Sequence, residues 1–181
     1  MRVYTRAGDD GTTGRFLGGR VSKADAVVAA CGDLDEAVSV LGVARATCAD
    51  VDLAAEVLVR QRELFVVAAD VATNPSHRDR LQPGVSLVTQ EMVDALEAAI
   101  DVRVAARPLR PVFLVPGTNA TSAHLDHGRT VVRRAERAVV GLRDGGTDVS
   151  DAVVRYLNRL SDLLYVLARD AAGEPEPPSH D

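Results

Sequence analysis

Four arginines crowd into the nine residues "RTVVRRAER" (129–137), with Glu136 the one acid among them. Arg129, Arg133 and Glu136 recur at the i, i+4 and i+7 spacing of one helical face, with Arg134 and Arg137 beside them. Like charges this dense cost stability unless an anion sits among them. Guanidinium forks hold phosphate oxygens bidentately, so a polyphosphate suits such a cluster. The alternative is a solvated face laced with routine ion pairs. A second candidate is the leader "VYTRAGDDGTTGRFLGGRVSKAD" (3–25), rich in glycine and poor in apolar residues. Its glycines let the backbone turn sharply and aim successive N–H groups at phosphate oxygens. Thr5, Thr12 and Thr13 add hydroxyls, and Arg6, Arg20 and Lys23 add charge. From composition alone a phosphate cradle and a mobile tail both remain open.

Other chemistries find no support. No Gly-Lys-Ser/Thr follows the leader's glycines, and the leader does not open a helix after a strand, so neither a Walker loop nor a dinucleotide fingerprint is present. No histidine has a glutamate three residues before it, as a di-iron bundle requires. His124 and His127 flank Asp126 but suit a polar helix start better than a metal site. Cys31 and Cys48 have neither a second thiol nor a histidine at zinc spacing, and no metal ligands are expected. Asn158 and Asp162 lie four apart, with Arg155 and Arg159 nearby. Asp35 adjoins Leu34 near an expected buried seam, where an unpaired carboxylate is expensive; an arginine of the fourth helix, of this or a neighbouring subunit, is the expected partner.

Five helical patterns must carry these residues. Apolar positions recur at Val27, Cys31, Leu34, Val38 and Leu41, then at Ala54, Leu58, Gln61, Phe65, Ala68 and Ala72 with one polar lapse. The third pattern runs through Val88, Met92, Ala95, Ala99 and Val102, and the fourth through Gly128, Val132, Ala135, Val139 and Leu142. The fifth and cleanest uses Val153, Leu157, Leu160, Leu164, Leu167 and Ala171. "TNPSHRDRLQPG", "RPLRP", "VPGTN" and "RDGGTD" punctuate them, and Thr147 or Ser150 is placed to cap the fifth helix. No useful strand alternation is present, and the expected fold is an all-α antiparallel bundle. Residues 26–172 form the bundle after an N-terminal segment of 1–25. The tail "GEPEPPSHD" (173–181) is expected to be disordered.

With 181 residues, 46% hydrophobic and only 3% aromatic, the core must be built from Ala, Val and Leu in one domain. A net charge of −5 argues against a general nucleic-acid surface, and no signal peptide or apolar run of membrane length is read. Two cysteines make no disulfide framework, so a reducing cytoplasm is expected.

Taken in order, "YTRAGDDGTTG", "GGRVSKAD", "GDLDE", "FLVPG", "RTVVRRAER" and "YLNRLSDLLYVLAR" resemble one family, the PduO-type ATP:cob(I)alamin adenosyltransferases, from Val3 to about Ala172. The resemblance implies a five-helix bundle assembled as a homotrimer with active sites between subunits. It implies ATP, cobalamin and Mg²⁺ as ligands, and transfer of the 5′-deoxyadenosyl group of ATP to cob(I)alamin with release of triphosphate. It assigns the nucleotide to Thr5, Arg6, Ala7, Gly8, Thr13, Gly14 and Lys23, completed by Arg133, Arg134, Ala135, Glu136, Arg137 and Asn158. Asp35 and Arg129 match an intersubunit ion pair, Phe113 matches the aromatic residue under the corrin, and Asp162 matches an acid near the site. Handover of product to a cobalamin-dependent enzyme is also implied. The chain departs from the usual pattern at Ala7, Cys31, Val38, Thr118 and Asp126, the helix-one and loop changes falling nearer the corrin. An ATP- or corrinoid-binding paralogue without turnover, and a purely structural trimeric bundle, are the competing readings.

Overall fold

Val153, Leu157, Leu160, Leu164 and Leu167 are all fully buried, so the cleanest heptad of the sequence is the spine of the molecule. The computed structural model describes residues 4–173 and 176–180. Five α-helices follow a short hairpin: α1 (Ala26–Ala46), α2 (Val51–Ala72), α3 (Gln90–Ala106), α4 (Ala120–Asp144) and α5 (Asp151–Ala172). A 3₁₀ turn, Pro75–Arg80, lies between α2 and α3. α4 packs between α1 and α5, α2 covers α1, and α3 covers α5.

Four of the five α-helix starts are capped by a side chain. Asp25 accepts from Val27 N at the start of α1, and Asp50 from the Asp52 and Leu53 amides at α2. Asn119 and Ser122 form a reciprocal capping box at α4. At α5 the cap is Ser150, which accepts from Val153 N. Caps of this kind contribute about 1 kcal/mol each. The closest helix approach is at Gly128, where an added Cβ would lie 2.8 Å from Leu41 Cδ2.

The seams of α4 and α5 lie where the heptads place them, but that of α2 is rotated. Leu53, Val57, Leu64, Val67 and Val71 are buried, whereas Phe65 is 60% exposed. α2 is apolar over much of its circumference, so two adjacent stripes satisfy the spacing and packing against α1 chooses one. Gln61 does join the seam, because its amide donates to Val38 O and its carbonyl accepts from Arg45 Nε, both at 2.9 Å. In α3 the buried positions are Val93 and Leu96, and Val102 is 70% exposed.

One further expectation is corrected. The fold is not purely helical: β1 (Thr12–Gly14) and β2 (Arg20–Ser22) pair antiparallel, with Thr13 opposite Val21. Residues 176–179 of the tail lie against the 110–116 loop. There Val115 N donates to Pro177 O at 2.9 Å, Ser179 N donates to Phe113 O at 2.8 Å, and Glu176 is buried.

Candidate active site

Because Gly128, Val132 and Ala135 face the core, the register of α4 turns Arg129 and Arg133 outward one turn apart. They line a cavity of about 560 Å³ between α3, α4 and α5, together with Glu97, Arg159, Asp162 and Tyr165. Among the described residues Arg133 makes no ion pair. Behind it runs a polar chain: Asn158 Nδ2 donates to Glu136 Oε1 at 3.1 Å, and Arg159 donates to Asn158 Oδ1 at 2.7 Å and to Glu97 at 2.8 Å. The chain fixes the Asn158 amide, its oxygen toward Arg159 and its nitrogen toward Glu136. The lining of the cavity therefore mixes Arg129, Arg133 and Arg159 with the carboxylates of Glu97, Asp101 and Asp162.

Arg129 and Tyr165 also line a second cavity of about 440 Å³, formed with the 110–116 loop, so the two spaces adjoin. Phe113 stands at its edge, 86% exposed. An aromatic ring held this far into solvent has no role in the protomer's own core and is free to meet a ligand or a neighbour.

The leader makes a separate lobe. Phe16 N donates to Ala72 O, Asn74 N donates to Phe16 O, and Asn74 Nδ2 donates to Gly18 O, pinning the hairpin to the end of α2. Lys23 Nζ folds back onto Gly8 O at 2.7 Å, and Arg20 holds Ala7 O and the Thr12 hydroxyl. The Asp10 carboxyl is held below its usual pKa, chiefly by the Thr12 hydroxyl and then the Thr12 amide. Arg6 adopts a left-handed φ of 62°. A positively charged loop is thus closed by side chains gripping its own carbonyls.

The structure groups Arg129, Arg133 and Asp162 around one cavity, with Phe113 across Arg129 and with Glu136 and Asn158 behind. It does not bring Thr5, Arg6, Ala7, Gly8, Thr13, Gly14 or Lys23 to either cavity within one protomer. Three of the assigned residues line neither cavity within the protomer. Ala135 is fully buried in the core, because its position on α4 faces the bundle axis. Arg134 turns to α1, where Asp33 (2.9 Å) and Glu36 engage it, and the Asp33 bond raises its pKa further. Asp35 is exposed rather than at the seam, and among the described residues of the protomer it forms no ion pair, while Arg129 contacts Asp126 at 3.1 Å. Arg137 is exposed and donates to Arg133 O.

Sequence spacing alone does not single out Tyr165 or Glu97 as cavity residues. Asp126, three residues before Arg129, was legible as a helical ion pair. Its bond to Arg169, 43 positions away, was not.

Comparison with known proteins points one way. The chain is 38% identical over 175 residues to a corrinoid adenosyltransferase of Citrobacter freundii, covering 97% of each protein. It is 42% identical to the corrinoid adenosyltransferase of Mycobacterium bovis, covering 94% of this chain and 88% of the relative. Against the corrinoid adenosyltransferase PduO of Salmonella typhimurium it is 40% identical but spans only 49% of that longer protein. Among solved structures, a phenylalanine-to-histidine variant of the PduO-type ATP:corrinoid adenosyltransferase of Lactobacillus reuteri, complexed with cobalamin and ATP, superposes with a TM-score of 0.90. Its identity is 29%, covering 99% of this chain and 97% of that one. An arginine-to-lysine variant of the same enzyme, complexed with ATP, has a TM-score of 0.87 at 30% identity, with 98% and 100% covered. A helical bundle that presents paired arginines beside an exposed aromatic loop, and that matches a cobalamin adenosyltransferase profile over residues 3–171, belongs to the cobalamin adenosyltransferase family.

Proposed function

We propose that this chain transfers the 5′-deoxyadenosyl group of ATP to cob(I)alamin, giving adenosylcobalamin and triphosphate. The observation that carries the reading is Arg129 at the junction of two cavities, one lined by Arg133 and the other beside Phe113. Triphosphate belongs on the Arg133 side and the corrin on the Phe113 side. Cob(I)alamin is a strong enough nucleophile to need no base: its electron pair forms the bond to C5′, and the C5′–O pair leaves with triphosphate. What the protein adds is alignment of C5′ with the metal and the leaving group, and cations where negative charge grows. An apolar Phe113 beneath the ring keeps a lower ligand and water away from cobalt.

The leader of one subunit and α4 of a neighbour together grip ATP in a homotrimer. The exposed, unpaired Asp35 and the distance of the leader from the protomer's own cavities support that assembly. Among the described residues no cluster of three or more His, Cys, Asp or Glu side chains could hold a metal ion. Mg²⁺ enters as a partner of the triphosphate oxygens, whose charge it would neutralise. No described helix is long and apolar enough to cross a membrane. Free Cys31 and Cys48 suit a reducing cytoplasm, from which product passes to a cobalamin-dependent enzyme.

The test is direct: protein, ATP, Mg²⁺ and chemically reduced cobalamin yield light-sensitive adenosylcobalamin. Arg133→Ala lowers ATP affinity by about tenfold or more in calorimetry, the scale of one lost charge-assisted phosphate contact. Folded protein that binds ATP without forming product overturns the reading in favour of a non-catalytic paralogue. Absence of ATP binding favours a structural bundle.

A further inference from the structure

One buried charge cluster has no part in the chemistry above. Asp126, Arg169 and Glu176 are only 3%, 5% and 4% exposed. The Arg169 guanidinium is shared between the carboxylates of Asp126 and Glu176 and lies 4.8 Å from the centre of the Tyr165 ring. The second oxygen of Asp126 accepts from Arg129 Nε at 3.1 Å. Two anions and two cations therefore alternate in a line from Glu176 to the arginine at the junction of the two cavities. Glu176 Oε1 is buried without a hydrogen-bond partner, and among the described residues Arg169 is the ion-pair partner of that carboxylate.

The same short segment grips the aromatic loop. Arg110 Nη1 donates to Glu176 O at 2.9 Å, Val115 N donates to Pro177 O, and Ser179 N donates to Phe113 O. Glu176 thus reaches Arg110 through its carbonyl and Arg169 through its carboxylate. Buried ion-pair lines gain little stability over apolar packing, but removing one partner leaves the next charge buried and uncompensated. This one ends on both features that the reaction needs on the corrin side.

We propose that Glu176, with residues 177–180, is a positioning element of the corrinoid half of the site: its carboxylate orients Arg129 through Arg169 and Asp126, and its backbone strap holds the Phe113 loop. The inference rests on the adenosyltransferase reading above. It assigns the strap mainly to the corrinoid, because the backbone bonds of residues 176–179 go to Arg110 and the Phe113 loop.

Steady-state kinetics on Glu176→Gln, and on a chain ending at Gly173, test it. Each should raise KM for cob(I)alamin by about tenfold while KM for ATP stays within about twofold. Asp126→Asn should act likewise, and combining it with Glu176→Gln should add little, since both interrupt one line. Hydrogen exchange at the Val115 amide should quicken in the truncated chain. Unchanged corrinoid KM in both Glu176 variants, or equal loss for both substrates tracking a fall in Tm, overturns the proposal. Unchanged Val115 exchange overturns the strap whatever the catalysis does. Inactive wild-type protein instead defeats the transferase reading, leaving amide exchange to judge the strap.

Discussion

Tyr156 shows what a single residue contributes in a core so poor in aromatics. It is fully buried, and its hydroxyl donates to Glu63 Oε2 at 2.6 Å, a carboxylate also held by Arg60 at 2.8 Å. Burial, then the Glu63 charge, pushes its pKa well above the ordinary 10.0. The phenol therefore stays neutral in the fold when it would ionise in the unfolded chain. A raised folded pKa means that this contribution is intact below about pH 10 and is lost as pH climbs beyond it. Tyr156→Phe is expected to be less stable than wild type at neutral pH, by about 1–2 kcal/mol for the stranded Glu63–Arg60 pair. Its Tm should then fall less than that of wild type between about pH 9 and pH 11, as read by thermal melts. Parallel melting curves across that range would refute this.

At the scale of elements, the hairpin lobe and the bundle are stabilised independently. The lobe is held by backbone turns, Lys23 and Arg20, and by its seam with the end of α2; the bundle is held by apolar seams. Two glycine substitutions separate them. At Gly8 a Cβ would sit 3.0 Å from Thr12 O and 3.2 Å from Lys23 Nζ, and the first of these is backbone that must shift. Gly8→Ala should lower ATP affinity by about fivefold in calorimetry while leaving Tm nearly unchanged, since nothing apolar is disturbed. Gly128→Ala should do the opposite. Leu41 is fully buried and has nowhere to go, so a loss of about 1–3 kcal/mol and a Tm several degrees lower are expected in denaturation, with ATP affinity retained.

For the whole molecule, the homotrimer proposed above makes the arrangement between copies the one to test. Asp35 is exposed with no ion pair among the described residues, and the leader faces neither cavity of its own protomer. In sedimentation the wild type should run at about three times the protomer mass, the ordinary behaviour of a closed cyclic oligomer. Asp35→Ala should weaken association and lower activity by about tenfold. Arg129→Ala should match it, and the double variant should be little worse than either, as one shared pair requires. A stable, fully active trimer with Asp35→Ala would contradict the intersubunit pairing.

The residues themselves determined the helices, their caps and the outward face of α4, because those depend on neighbours three or four positions away. Arg129 and Arg133 on one face, Ser150 as cap and the α5 spine all follow from such short spacings. Tertiary structure alone decided which of two apolar stripes α2 buries, that Arg134 is claimed by Asp33, and that the tail packs on the Phe113 loop. Each of those outcomes is a competition among partners far apart in the chain. Local periodicity is the same for every competitor, and only the packed fold selects one.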